Sequence, residues 1–491
     1  MDEKLLAQLK TWNPWWTQGP QGIERFRDPD YKRELYHSVA RQLRETNQMV
    51  SIVGMRQVGK STLMRQLIKE YLKDGVSPQH ILYMSFDDPF LKIHYDAKTI
   101  FDAVMAVYAE VILKKEIEAQ EETLYLFLDE IHQLPDWEKT LKSYYDRSFP
   151  VKYVVSGSSS LHLQTKNKET LVGRIAEFTL WPFSFREFVE LKAQEPETKD
   201  ERLADTIPRL RATHSAFLKN LDFGVLHQNG EKLFRDLSVW HKTQITNFLQ
   251  QFILAGGFPR AWQQPDFISR QKFLWEQQVG KIVFEDLVQI ANLRKPKDLE
   301  FLFARIVDFN GREVSLRELK GDLRMHRDTL DRYLSYLIRT FLIFRVERTK
   351  AKRIARKRRA GNAKFYLSDV ALRNAFYKKS EDVFYDPEEM GIIAENLVCS
   401  VLERWVADSR REEQLAFYKD RSGEIDFVVK TPGAVLPVEV KWRDTIPPLK
   451  TLDKVCKEWD VRQSMVVTKD GELRYENGRL FIPLWFFLLA V

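Results

Sequence analysis

Apolar residues recur over the first 180 positions in short, nearly unbroken runs, and stretches of helical period separate them. Met49 to Val53, Ile81 to Phe86, Leu124 to Leu128, Lys152 to Ser156 and Ile175 to Leu180 read as buried strands. Strands alternating with helices at this spacing predict a parallel sheet covered on both faces. Upstream, Trp12, Trp15 and Trp16 and a helical stretch from Tyr31 to Glu45 form a lead-in expected to pack on that sheet.

After Phe178 the pattern changes. Long segments of helical period run to about Ile290, interrupted at Gly256-Gly257-Phe258-Pro259, and predict a helical lid. Residues 296 to 376 read as three helices followed by a strand pair, Phe341 to Arg348 and Lys364 to Leu367, the pattern of a winged helix. A mixed segment follows, with a helix over 391 to 406, strands at Leu415 to Tyr418, Glu424 to Lys430 and Val435 to Lys441, and a later helix and strand. The run from Leu480 to Val491 is broken by Pro483 and too short to span a bilayer, so it reads as a final buried strand or helix. The expected fold class is α/β and multidomain: a lead-in over 1–40, a parallel-sheet core over 41–190, a helical lid over 191–290, a winged helix over 291–385 and a C-terminal α/β domain over 386–491.

Composition fits this division. A chain of 491 residues exceeds what one core usually supports, and 44% apolar with 30% charged residues argues for folded domains and against disorder. The formal charge of +7 is modest, so its placement carries the information. Cys399 and Cys456 lie far apart without a metal-like spacing, which suits a reducing cytoplasm. The charged N-terminus lacks the apolar stretch of a signal peptide, and no membrane association is expected.

The sharpest chemistry lies at Gly54-Met-Arg-Gln-Val-Gly-Lys-Ser61, between a strand and a helix. Its glycines allow a tight turn that aims backbone N–H groups at phosphate oxygens, where the next helix presents its positive end. Gly54, Gln57, Val58, Gly59 and Thr62 would line the phosphates of ATP, Lys60 would reach the β and γ phosphates, and Ser61 would ligate Mg²⁺. In Leu124-Tyr-Leu-Phe-Leu-Asp129-Glu130, Asp129 would hold Mg²⁺ through water, and Glu130 would orient or deprotonate the attacking water. Ser156 and Ser158 end a buried strand where a γ-phosphate sensor would sit. Arg174 falls where an arginine finger would reach a neighbour's nucleotide; a surface arginine paired with Glu177 is the alternative. Arg260, beside the Gly-Gly-Phe-Pro break, is a further phosphate candidate from the lid.

Phosphate loop, Asp-Glu pair, Ser-Gly-Ser-Ser strand end, Gly-Arg, then Leu180-Trp-Pro-Phe-Ser-Phe-Arg-Glu-Phe188 and Gly-Gly-Phe-Pro together resemble the archaeal and bacterial branch of AAA+ P-loop ATPases close to the STAND group. The resemblance implies a core sheet with the P-loop strand central, and homo-oligomeric assembly through neighbouring ATPase domains. Trp181 and Phe183 depart from the smaller apolar residues expected around the proline.

Two later features point to DNA. Lys350, Lys352, Arg353, Arg356, Lys357, Arg358 and Arg359 form a basic run with no acidic residue, at the tip of the expected wing. Such a cluster would neutralise several phosphates and make binding steeply salt-dependent. Arg324, His326, Arg327, Thr329 and Arg332 sit on the preceding helix, and Leu330, Leu334 and Leu337 form its buried stripe. In the last hundred residues Glu395, Asp426 and Glu439 offer carboxylates for Mg²⁺, with Lys441 on the same strand face as Glu439. This order resembles the PD-(D/E)XK nuclease family, especially archaeal Holliday junction resolvases, and implies a restriction-endonuclease-like domain. The expectation is an oligomeric ATPase that remodels branched DNA. The alternative is a nucleotide-dependent signalling switch whose winged helix binds a partner protein.

Overall fold

The computed structural model describes residues 2–147, 149–158, 171–195, 198–220, 223–291, 293–350, 362–408 and 413–491. The chain divides into two compact units, Met1–Leu180 and Trp181–Val491.

In the first unit five strands, β1 (Met49–Gly54), β2 (Ile81–Ser85), β3 (Leu124–Asp129), β4 (Val151–Ser158) and β5 (Ile175–Thr179), form one parallel sheet in the order β2-β3-β4-β1-β5. Every residue of β1 is buried, as its unbroken apolar run requires of a strand covered on both faces. β1 lies inside the sheet but one strand from its edge, so it is interior without being central.

The lead-in closes the other edge. Helix α1 (Glu3–Trp12) ends at Asn13, whose side chain accepts from the Tyr83 N–H at 2.6 Å and donates to the Tyr83 carbonyl at 2.8 Å. Asn13 thus meets the backbone groups of an edge strand as a sixth strand would. The Trp15 and Trp16 indoles both donate to the Ile81 carbonyl, at 3.0 and 2.9 Å. Helix α2 (Glu34–Glu45) then leads into β1.

In the second unit nine strands form one mixed sheet: β6 (Glu313–Ser315), β7 (Ile343–Thr349), β8 (Asn362–Leu367), β9 (Gln414–Asp420), β10 (Gly423–Lys430), β11 (Val435–Lys441), β12 (Ser464–Thr468), β13 (Arg474–Glu476) and β14 (Arg479–Pro483). Their order is β13-β14-β12-β11-β10-β9-β7-β8-β6. The boundary expected at 385/386 does not divide this sheet, because β7 pairs in parallel with β9, Glu347 opposite Ala416. A single apolar core cluster contains Phe188, Phe248, Phe344, Leu397, Phe427 and Phe486, joining segments that the periodicity separates into four domains.

The segment expected as a lid belongs here. Its helices over Glu201–Asn220 and Phe223–Asp236 pack on the C-terminal elements, with Phe234 stacked on Trp485 at 5.4 Å. The final apolar run supplies both expected forms, strand β14 and then helix Leu484–Ala490, all seven residues of it buried.

Candidate functional site

Strand β1 delivers the chain into the loop at Gly54. A Cβ there would lie 2.2 Å from the Leu180 carbonyl, so only glycine fits against the segment leaving β5. Gln57 and Gly59 take positive φ, 61° and 106°. The helix α3 (Lys60–Lys73) begins directly after Gly59, with its unpaired N–H groups facing the loop. The Lys60 ammonium is buried, 4% exposed, and donates to the Gly54 and Met55 carbonyls at 3.2 and 2.9 Å. Val58 is fully buried, and Thr62 sits half-buried in the first turn.

Asp129, at the end of β3, gathers three hydroxyls. Ser61 Oγ donates to its Oδ2 at 2.6 Å, Tyr83 Oη to the same oxygen at 2.9 Å, and Ser156 Oγ to Oδ1. Register aligns these groups, because β2 pairs Ser85 with Asp129 and β4 pairs Val155 with Leu128. Glu130 takes a positive φ of 52°, and its N–H donates to Ser156 Oγ at 3.1 Å. Its carboxylate lies 4.0 Å from Lys60 Nζ. Burial raises the Glu130 pKa, Lys60 opposes the rise and Asp129 adds to it. A carboxylate made more basic beside a cation-binding group suits the activation of water.

Ser158 lies at the end of β4, opposite Gly54 in register. Arg174 pairs with Asp146, Nε to Oδ1 at 2.8 Å. Three residues the periodicity passed over complete this site. Tyr83 holds Asp129. Arg33 donates to the Val58 carbonyl at 3.0 Å, tying the lead-in to the loop. Arg65 on α3 forks onto Asp28 with two bonds of 2.6 Å. None carries a motif, and only the length of the lead-in hinted at such a clasp.

The residues fit ATP and Mg²⁺: a turn with two left-handed residues, a buried lysine held by loop carbonyls beside Glu130, and a serine bonded to an aspartate.

Arg260 is exposed in the second unit, in the short helix Pro259–Trp262. The preceding break serves packing. Gly256 ends a helix at φ 67°, the Gly257 N–H donates to buried Asp369 at 2.7 Å, and a Cβ on Gly257 would meet the Phe183 carbonyl at 2.4 Å. Lys350 is exposed at the end of β7. Lys352, Arg353, Arg356, Lys357, Arg358 and Arg359 lie outside the described residues.

Of the C-terminal carboxylates, Asp426 and Glu439 lie in the same sheet as β8. A register shift between Ile425 and Val428 in β10 marks an irregularity in the stretch that holds Asp426 and Phe427. Pairing of Phe427 with Val438 sets Asp426 opposite Glu439. Asp426 Oδ2 accepts from the Val440 N–H at 2.8 Å and lies 3.6 Å from Lys441 Nζ, which also pairs with Glu439. Burial, with the Asp426 charge, pushes the Glu439 pKa up to about 8. Glu395, on the helix α11 over Pro387–Asp408, sits elsewhere in its bonding: Lys364 donates to it at 2.9 Å and Tyr366 Oη at 2.5 Å. Lys364 pairs with Glu424 as well. Although burial opposes its charge, Glu395, Asp426 and Glu424 hold the Lys364 ammonium well above its ordinary pKa.

The expected Mg²⁺ set of Glu395, Asp426 and Glu439 is therefore corrected. Among the described residues no three acidic, imidazole or thiol side chains are grouped to hold a metal ion. Lysines stand between these carboxylates, and the trio does not fit Mg²⁺ as arranged. Lys364 was missed because β8 reads as part of a separate module.

Residues 46–189 match the AAA domain family. With the loop, Asp129 and the parallel sheet in place, the first unit carries an AAA-type P-loop ATPase domain. Residues 246–382 and 390–487 match two domains of unknown function, DUF8612 and DUF4143. Across most of its length the chain is similar to an uncharacterized protein, MJ1544, of Methanocaldococcus jannaschii, 23% identical over 78% of this chain and 72% of the relative. An uncharacterized protein of Haemophilus influenzae is also 23% identical, over 83% of this chain and 86% of its own. Among solved structures, the Walker-type ATPase paby2304 of Pyrococcus abyssi is 16% identical over 72% of this chain and 97% of that one, with a TM-score of 0.39. Among the described residues no helix is long and apolar enough to cross a membrane.

Proposed function

We propose that this chain is an oligomeric ATPase that acts on DNA, coupling ATP hydrolysis to remodelling of branched or junction structures. Lys60 and the loop backbone bind the phosphates, Ser61 and Asp129 are the residues that would hold Mg²⁺, and Glu130 takes the proton of the attacking water. Lys60 stabilises charge on the phosphoryl group, and a bound Mg²⁺ would add to that stabilisation. Ser158, and Arg174 from a neighbouring subunit, complete the γ-phosphate surroundings. Arg260 is a further phosphate contact in this reading.

One observation carries the DNA part. Helix α8 (Pro296–Asp308), β6, helix α9 (Leu316–Leu323), helix α10 (Arg327–Arg339), β7 and β8 follow in winged-helix order, with β6 antiparallel to β8. At the turn between α9 and α10 an open depression of about 450 Å³ is lined by Arg317, Lys320, Arg324 and His326. The basic run Lys350 to Arg359 belongs to the same segment, so both would meet a polyanion. The order α11, β9, β10, β11, helix Lys450–Glu458, β12 supports a nuclease-like domain that grips the strand.

ATP hydrolysis and gel shifts across single-stranded, duplex, forked and four-way DNA test the reading. DNA should stimulate hydrolysis, most strongly with forked or four-way substrates. A chain that neither shifts DNA nor responds to it in turnover is instead a nucleotide-dependent switch for a protein partner.

A further inference from the structure

The C-terminal cluster brings together Glu395, Glu424, Asp426 and Glu439, more acid than a domain places beneath a sheet without a cation. Three ammonium groups answer it, one of them the partly exposed Lys419, which pairs with Glu424 at 3.0 Å. Lys441 comes from the same strand as Glu439, as its sequence position requires. Lys364 comes from β8, in the segment of the three helices and hairpin, and is 2% exposed. It bridges Glu395 to Glu424, with its ammonium 5.5 Å from the centre of the Phe417 ring. The helix bearing Glu395 is fastened to the same strand. Asn396 donates to the Leu367 carbonyl and accepts from the Leu367 N–H, both at 2.9 Å.

We propose that Lys364 is the buried resident cation of this cluster and closes it to divalent metal. A divalent ion needs oxygen ligands about 2.0–2.6 Å from its centre with vacant space between them. Here Glu395 Oε1 already accepts from both Lys364 and Tyr366. The lysine that occupies this position comes from a strand of the same sheet, distant in sequence from the carboxylates it joins. This rests on the nuclease-like reading of the cluster, since without it the pairing would be simple packing.

Mn²⁺ binding to the full chain, measured by electron paramagnetic resonance without nucleotide, tests the proposal. The wild-type chain should show no Mn²⁺ site that Glu395→Gln removes. Lys364→Met should gain one such site, at least about tenfold tighter than any wild-type counterpart, and adding Glu395→Gln should abolish it. Mn²⁺ should also raise the melting temperature of Lys364→Met and leave that of wild type unchanged. A Glu395-dependent Mn²⁺ site in the wild-type chain overturns the proposal, and that arm does not depend on how any Lys364 variant folds. So does a Lys364→Met chain with unchanged near-ultraviolet circular dichroism that gains no site. Mn²⁺ entry into Lys364→Met without cleavage of DNA leaves the proposal standing and removes the nuclease reading instead.

Discussion

Ser61 Oγ donates to Asp129 Oδ2 at 2.6 Å, joining the first turn of α3 to the acidic end of β3. The bond fixes the two groups that would share Mg²⁺, while Lys60 waits on the loop carbonyls. Lys60→Ala and Asp129→Ala should each lower ATP turnover at least about a hundredfold, because each removes charge stabilisation of the phosphoryl group. Phosphate release by the purified chain measures this, and near-normal rates in either variant would remove the site assignment.

Arg174 predicts a different signature. Its pair with Asp146 is partly exposed, so Arg174→Ala should change stability by less than about 1 kcal/mol. If it serves a neighbour's nucleotide, the variant should still lose hydrolysis about a thousandfold. Mixing Arg174→Ala with Lys60→Ala subunits should then restore turnover, since some interfaces regain both groups. Absence of any rescue in mixed assemblies would assign Arg174 to its own subunit.

Asn13→Ala should destabilise the first unit by about 2–4 kcal/mol, because it leaves the buried Tyr83 N–H and carbonyl at a sheet edge without partners. Urea denaturation reads the change. A loss below about 0.5 kcal/mol would mean that another segment, or water, takes the place of the side chain.

Glu403 on α11 has its pKa pushed up to about 8 by burial. Between its ordinary value near 4.5 and that point the folded chain holds a proton that the unfolded chain has released, so stability falls as pH rises through this window. Glu403→Gln should be flatter across it and more stable than wild type by about 1–3 kcal/mol at pH 8, with no advantage below pH ~4.5. Parallel pH profiles for the two chains would count against the buried acid.

The strands of the first unit and the nucleotide site were legible because both write themselves locally. Each strand is an uninterrupted apolar run, and the loop, Asp129 and Glu130 follow directly from the strands that carry them. The partners that hold them were not. Tyr83, Arg33 and Asn13 act only once β2 and the lead-in lie beside the site, and nothing in their immediate neighbourhood marks them. Lys364 shows the same limit more sharply. Its strand was legible and its target was legible, but the periodicity placed a domain boundary between them. That boundary rested on the change of pattern near 385, and pairing of β7 with β9 overrides it, since strand pairing leaves no trace in the local alternation of either strand.

That same pairing sets an order of events during synthesis. The β7–β8 hairpin leaves the ribosome well before β9 exists, so until the rest of the sheet is made β7 presents an unpaired edge beside a strongly cationic stretch of chain. Chains halted or clipped near residue 385 would keep that edge permanently, ready to pair with another copy or to be captured by a chaperone. The β7 edge is therefore covered only once β9 has been made, which ties the maturation of the two halves of this sheet together.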